Sequence, residues 1–138
     1  MASDAAALIL AEASRAAPRE CCGLLLGQNR DGMWAHIAQA RPAVNVAADP
    51  SRHFEIDPAA LIAAERDARE GGAALIGYYH SHPNGLAEPS ATDREMAHPD
   101  GRVWLIAADG SLRAFRAPDR PGGTFRPIML EIDAPGLA

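Results

Sequence analysis

Ala73-Ala74-Leu75-Ile76-Gly77-Tyr78-Tyr79 runs straight into His80-Ser81-His82-Pro83. The apolar half reads as a central strand. Alternate residues of an extended chain point to the same face, so a His-x-His at the strand's end aims two imidazoles at one point. Pro83 cannot donate to a sheet ladder, so the strand closes there and opens the space in front of the rings.

Working back from this stretch, Asp57 followed by Pro58 is a helix start, an N-cap and then proline at the first helical position. That helix should run to about Glu70, where Gly71-Gly72 stops it. His53 to Ile56 reads as a short strand, and Arg41 to Arg52 as a loop holding Pro42, Asn45 and Pro50. Cys22 to Leu26 is an apolar run closed by Gly27, the pattern of a buried strand. Gln28 to Gly32 has turn chemistry, and Met33 to Ala40 should complete a hairpin. Ser3 or Asp4 can cap a first helix that reaches about Arg15 and ends before Pro18.

Working forward, Asn84 to Pro89 is a loop and Ser90 opens a short helix to about Ala97. Arg102 to Ala107 and Ser111 to Phe115 flank Asp109-Gly110, a two-residue hairpin signal. Arg126 to Ile132 is a last strand. Hairpins and helices are interspersed, which predicts an α+β fold: a mixed, mostly antiparallel sheet flanked by helices.

The chain has 138 residues, the size of one domain, so residues 1–138 are read as a single unit. A formal net charge of -5 argues against nucleic acid and anionic membrane as partners. No apolar run approaches the length that spans a bilayer. Ala5 to Leu10 is apolar, but Asp4 precedes it and Glu12 follows, the wrong flanks for a secretory signal. The only two cysteines, Cys21 and Cys22, are adjacent. They build no disulfide framework, and the cytosol is the expected compartment. Oligomeric state is left open.

A metal centre needs more than His80 and His82. A catalytic zinc takes three protein ligands and keeps a fourth position open. Asp93 is the candidate third ligand, in the first turn of the helix that Ser90 opens. A His-His-Asp set leaves net positive charge at the metal, which favours loss of a proton from bound water. Ser90 can cap that helix or donate to the oxyanion of a tetrahedral intermediate. A general base that is not a ligand is also required. Glu20 is the candidate, at the mouth of the first buried strand, but local spacing does not select it over Glu12, Glu55, Glu65, Glu70, Glu88 or Glu95. His36, His53 and His98 read as structural.

These residues resemble the JAMM motif of MPN+ zinc metalloproteases: a distant Glu, then His-Ser/Thr-His-Pro, then Ser-x-x-Asp. Seven residues, Pro83 to Pro89, separate His82 from Ser90, a spacing similar to the family's. Gly77 to Pro83, Glu20 to Gly27 and His53 to Pro58 resemble it as well, the last as in small bacterial members. The resemblance covers nearly the whole chain, and no core motif position is missing. It implies an MPN/JAMM-like, cytidine-deaminase-like architecture. It also implies zinc held by His80, His82 and Asp93, Glu20 activating water, and Ser90 steadying the oxyanion. The implied reaction is hydrolysis of a peptide or isopeptide bond at the C-terminus of a ubiquitin-like protein or its conjugate. For small bacterial relatives that is a sulfur-carrier protein.

Other readings stand beside this one. A non-catalytic MPN scaffold that binds partners is the alternative, and the intact ligand set speaks against it. Nucleobase deaminases carry His-x-Glu together with Cys-x-x-Cys, a combination this sequence lacks. Cys22 is a secondary candidate for a metal ligand or redox group. At least one of Tyr78 and Tyr79 should be core, and Trp34 and Trp104 should be packing or edge residues. The loop 84–89 can be a lid or a connector. Arg41 to Arg52 is a candidate wall for a groove beside the metal.

Overall fold

A computed structural model describes residues 1–29 and 35–133. Its elements in chain order are α1 (Ser3–Ala16), β1 (Cys22–Asn29), β2 (Ala35–Ala43), α2 (Pro58–Arg69), β3 (Ala74–Ser81), α3 (Ala91–Met96), β4 (Val103–Ala108), β5 (Ser111–Arg116) and β6 (Arg126–Ile128). Among the described residues the strands form one sheet in the order β2-β1-β3-β4-β5-β6. β3 and β4 run parallel and every other neighbouring pair is antiparallel. The α+β expectation therefore holds, with β3 inside the sheet as its leading stretch predicts.

Both faces of the sheet are covered. Ala5, Ala6 and Ile9 of α1 pack with Leu25, Ile76, Tyr79 and Leu105 on one face. On the other, Ala64 of α2 packs with Cys22, Leu24 and Ile56, and Tyr78 joins them. Two covered faces explain why β4, Val103–Ala108, is buried at every position rather than at alternate ones. Cys21 and Cys22 also separate to opposite faces, and both are buried. No helix among the described residues is long and apolar enough to cross a membrane.

Local signals explain several boundaries. Asp57 caps α2, its carboxylate accepting the Ala59 N–H at 3.0 Å. Asp109 and Gly110 both have positive φ, 50° and 75°, as a type I′ hairpin between β4 and β5 requires. At Gly77 a Cβ would lie 1.9 Å from the Val103 carbonyl oxygen, so a side chain there would force β3 and β4 apart.

Five expectations are corrected. Ala2, not Ser3 or Asp4, occupies the N-cap of α1, with no side-chain cap. His53 to Ile56 forms no strand; Ile56 makes only an isolated bridge to Asn45, because Asn45 takes the Glu55 N–H with its side chain. The last strand stops at Ile128, opposite Ala114, so it pairs only with the Ala114–Arg116 half of β5 and does not reach Ile132. β2 extends to Ala43, so the loop begins later than Arg41. Gln28 and Asn29, expected to open a turn, continue β1 and pair with His36 and Ala35. The remainder of that turn, 30–32, the start of the second strand at Met33, and Trp34 lie outside the described residues.

Candidate metal centre

β3 carries His80 in its last turn of pleat, and His82 follows one residue after the strand. The His82 backbone N–H donates to the Ala107 carbonyl at 2.8 Å, which ties this end to β4. Both histidines are buried. Ser90 and Asp93 come from the start of α3 through a reciprocal capping box. The Ser90 hydroxyl accepts the Asp93 N–H at 3.0 Å, and Asp93 Oδ2 accepts the Ser90 N–H at 2.9 Å.

The capping box holds the Asp93 carboxylate in place. Its Oδ2 stands 3.1 Å from His80 Nε2 and 3.1 Å from His82 Nε2, and the two Nε2 atoms are 2.9 Å apart. His82 Nδ1 faces the Leu86 carbonyl at 2.7 Å. That contact requires Nδ1 to donate, so a neutral His82 ring turns the Nε2 lone pair toward the cluster. The His80 ring stacks on Phe54 with centroids 4.2 Å apart and meets Trp104 edge-on at 5.5 Å. Its Nδ1 is buried without a partner among the described residues.

Glu20 arrives by strand register. β1 pairs antiparallel with β3, Cys22 opposite His80. Continuing that register by two residues brings Glu20 alongside His82. The Ser81 hydroxyl accepts the Cys21 N–H at 2.8 Å and locks the register at this end. Glu20, His80 and His82 offer ligand atoms that all lie within 4.8 Å of one another, a group able to hold a metal ion. The Glu20 backbone is pinned from the other side: its N–H donates to the Pro50 carbonyl at 2.7 Å and its carbonyl accepts from Asn45 Nδ2 at 3.0 Å.

Burial pushes the Glu20 carboxyl up from its usual 4.5 to about 7, against a lowering pull from His82 and with a small push from Asp93. Burial also works to raise Asp93, but the His80 and His82 rings beside it overrule it and hold that carboxyl well below its usual range. His80 is lowered, chiefly by burial. His82 resists the same burial and is raised, through Asp93 and the Leu86 carbonyl.

The structure thus gathers Glu20, His80, His82, Ser90 and Asp93 in one place. The rival glutamates are elsewhere. Glu12 accepts from the Tyr79 hydroxyl at 3.0 Å, Glu65 pairs with Arg102, Glu88 with Arg113, and Glu55, Glu70 and Glu95 are exposed. His36 and His98 are exposed and His53 is half-buried, away from the cluster of ligand atoms. Cys22 turns its thiol to the Ala43 carbonyl, 3.7 Å away, and burial pushes it up to about 12. It takes no part in the metal-capable group. The loop after His82 is attached to the site through Leu86. From the segment expected to wall a groove, Ser51 and Arg52 line a cavity with Glu20, His82 and Ser90.

Three participants escaped the sequence reading. The Leu86 carbonyl is backbone and has no side-chain signature. Asn45 organises the loop over Glu20 by bonding Glu20, His53, Ala47 and Glu55, and its place in a loop between Pro42 and Pro50 was the available hint. Phe54 lies in a segment read as strand and instead forms the stacking face for His80.

Fold and site together define an α+β domain with a buried His-His-carboxylate centre at the end of a central strand. The chain belongs to the prokaryotic JAB-domain family: the model described as prokaryotic homologs of the JAB domain matches residues 2–118. The desampylase of Haloferax volcanii is 36% identical over 138 residues, covering 96% of this chain and 95% of its own. A probable TtuB-protein conjugate cleaving protease of Thermus thermophilus is 33% identical over 105 residues, 76% of this chain and 66% of its own. Among solved structures, a protein from Desulfitobacterium hafniense matches with a TM-score of 0.80 at 28% identity, over 96% of this chain and 93% of its own. The resemblance read from the sequence is borne out at the level of the family.

Proposed function

We propose that this chain is a zinc-dependent hydrolase of JAB/JAMM type that cuts a peptide or isopeptide bond at the C-terminus of a ubiquitin-like protein or its conjugate. One observation carries the reading: two imidazole nitrogens and a carboxylate oxygen converge within 3.1 Å beside a buried glutamate, Glu20. Three such acceptors crowd together when a cation belongs between them. Donors about 2.0–2.1 Å from a tetrahedral zinc stand about 3.3 Å apart, close to the separations here. The residues therefore fit the ion. The names of the Haloferax and Thermus relatives support the substrate class.

His80, His82 and Asp93 are the residues that hold the metal in this reading. His82 is oriented by its bond to Leu86, and Asp93 by its capping box. When bound, zinc supplies a Lewis acid that lowers the pKa of water and polarises the scissile carbonyl. Glu20 takes a proton from the attacking water as the water's oxygen bonds to the acyl carbon. It returns that proton to the departing nitrogen as the C–N bond breaks. Ser90 keeps its hydroxyl hydrogen free while its oxygen caps α3, so it can donate to the oxyanion. Residues 1–138 act as one domain. The cytoplasm is the compartment, which the free thiols of Cys21 and Cys22 support.

The test is Glu20→Gln on zinc-loaded protein, with a ubiquitin-like fusion as substrate. Metal analysis should still find one equivalent, while hydrolysis falls by about 10²–10⁴-fold. Loss of the metal would make Glu20 a ligand instead. One equivalent of zinc in the unsubstituted protein with no hydrolysis of any such fusion would favour a scaffold.

A further inference from the structure

We propose that Asn45 is the positioning residue of the general base: its side-chain amide fixes Glu20 relative to His80, and the chemical step depends on it although it touches neither substrate nor metal. This rests on the hydrolase reading above and deepens it.

Glu20 stands two residues ahead of β1, beyond the last pair of the β1–β2 ladder, Cys22 with Ala43. Continuing that register by two residues sets Asn45 opposite Glu20. The bond to the Glu20 carbonyl at this position comes from a side chain, Asn45 Nδ2.

The Asn45 amide is fully committed. An asparagine side chain offers two N–H donors and an oxygen with two lone pairs. Nδ2 donates to the Glu20 and His53 carbonyls, and Oδ1 accepts the Ala47 and Glu55 N–H groups, each at 3.0 Å. Two carbonyls at one end and two N–H groups at the other admit a single orientation of the amide. His53 and Glu55 flank Phe54, whose ring stacks on His80 with centroids 4.2 Å apart. One planar group therefore ties the Glu20 main chain to both neighbours of the residue that packs on His80. The Glu20 N–H is held by the Pro50 carbonyl and the Cys21 N–H by the Ser81 hydroxyl. The Asn45 bond adds the reference to Phe54, and through it to His80.

That reference matters because a base works over a short range. Its carboxyl must stand about 2.6–3.2 Å from the oxygen whose proton it takes. A misplacement of about 1 Å costs about 10²-fold in rate. Any tilt of the Glu20 peptide is carried out to its carboxyl. Asn45 does not line the cavity that Glu20 shares with Ser51, Arg52, His82 and Ser90, so its loss removes no contact there. His80 is held by β3 and Asp93 by its capping box, and neither bonds to Asn45.

The experiment measures kcat, KM and bound zinc for Asn45→Ala, Glu20→Gln and the double variant, on zinc-loaded protein with a ubiquitin-like fusion as substrate. Asn45→Ala should keep its zinc and an unchanged KM, and lose about 10²-fold in kcat. In the Glu20→Gln background the same substitution should cost nothing further, because the group it positions is already gone. A merely structural role would lower kcat equally in both backgrounds, and that outcome overturns the assignment. So does an unchanged kcat, a raised KM alone, or a loss of zinc. Asn45→Asp keeps the acceptor bonds to Ala47 and Glu55, lacks the donors, and carries the same test if Asn45→Ala does not fold. Failure of both variants to fold makes Asn45 a structural residue and overturns the assignment too. If the unsubstituted protein cleaves no such fusion, the hydrolase reading itself fails, and the assignment with it.

Discussion

In the proposed mechanism Ser90 carries two duties at one atom, a helix cap and an oxyanion donor. Its oxygen accepts the Asp93 N–H, and its hydrogen points nowhere within that capping box. Ser90→Ala removes both contributions, and two measurements separate them. Loss of the cap should cost about 1 kcal/mol in denaturant unfolding. Loss of an oxyanion donor should lower kcat by about 10²–10³-fold. An unchanged kcat would leave the cap as its only duty. Glu20 adds a pH signature. Burial holds its carboxyl at about 7 against a usual 4.5. The folded chain keeps a proton that the unfolded chain releases across that window. The stabilisation is therefore full below 4.5 and is lost as pH rises through about 7. In metal-free protein, the stability of Glu20→Gln relative to the unsubstituted chain should rise with pH across that window. A flat difference would mean Glu20 is not desolvated.

At the scale of elements, the candidate metal centre depends on how closely β3 approaches β4. Gly77 lies three residues before His80, and its missing Cβ is what lets the Val103 carbonyl come near. Gly77→Ala should destabilise the fold by about 1–3 kcal/mol through overpacking. It should also weaken metal binding, because β3 cannot shift without moving His80. Calorimetric titration with zinc on the folded variant checks this. Affinity equal to the unsubstituted protein's would show that the loop after Ser81 positions the rings independently of the strand. The short helix α3 contributes in the opposite manner. It is only six residues long, Ala91–Met96, yet its capping box is enough to fix Asp93.

For the whole molecule, the centre joins β1, β3 and α3, elements far apart in sequence. Metal bound there should hold them together, since a ligand that binds only the folded state stabilises it by mass action. At a free concentration about 1,000 times Kd the gain is about 4 kcal/mol. Chelation should therefore lower Tm by on the order of 10 °C. Reloading with zinc should restore it, and His82→Ala should show no shift with zinc. A Tm indifferent to chelator would argue against a metal joining these elements.

The sequence by itself determined whatever depends on spacing along the chain. His80 and His82 at the end of an apolar strand, Ser90 and Asp93 three apart at a helix start, Asp57-Pro58 and Asp109-Gly110 are all local patterns whose geometry follows from backbone periodicity and capping. Local spacing left the glutamate open; the family resemblance pointed to Glu20, and the physical reason it joins them is tertiary. Glu20 is sixty residues from the histidine pair, and only the antiparallel register of β1 on β3, Cys22 opposite His80, places it there rather than Glu12 or Glu55. The same holds for the His53–Ile56 segment, read as strand on pattern. Asn45 takes up one of its backbone donors, and Phe54 is left free to pack on His80. The His82 partner is a backbone carbonyl, Leu86, and every residue has one of those. Register and backbone partnership depend on which distant surfaces bury each other, and no local window of sequence contains that information.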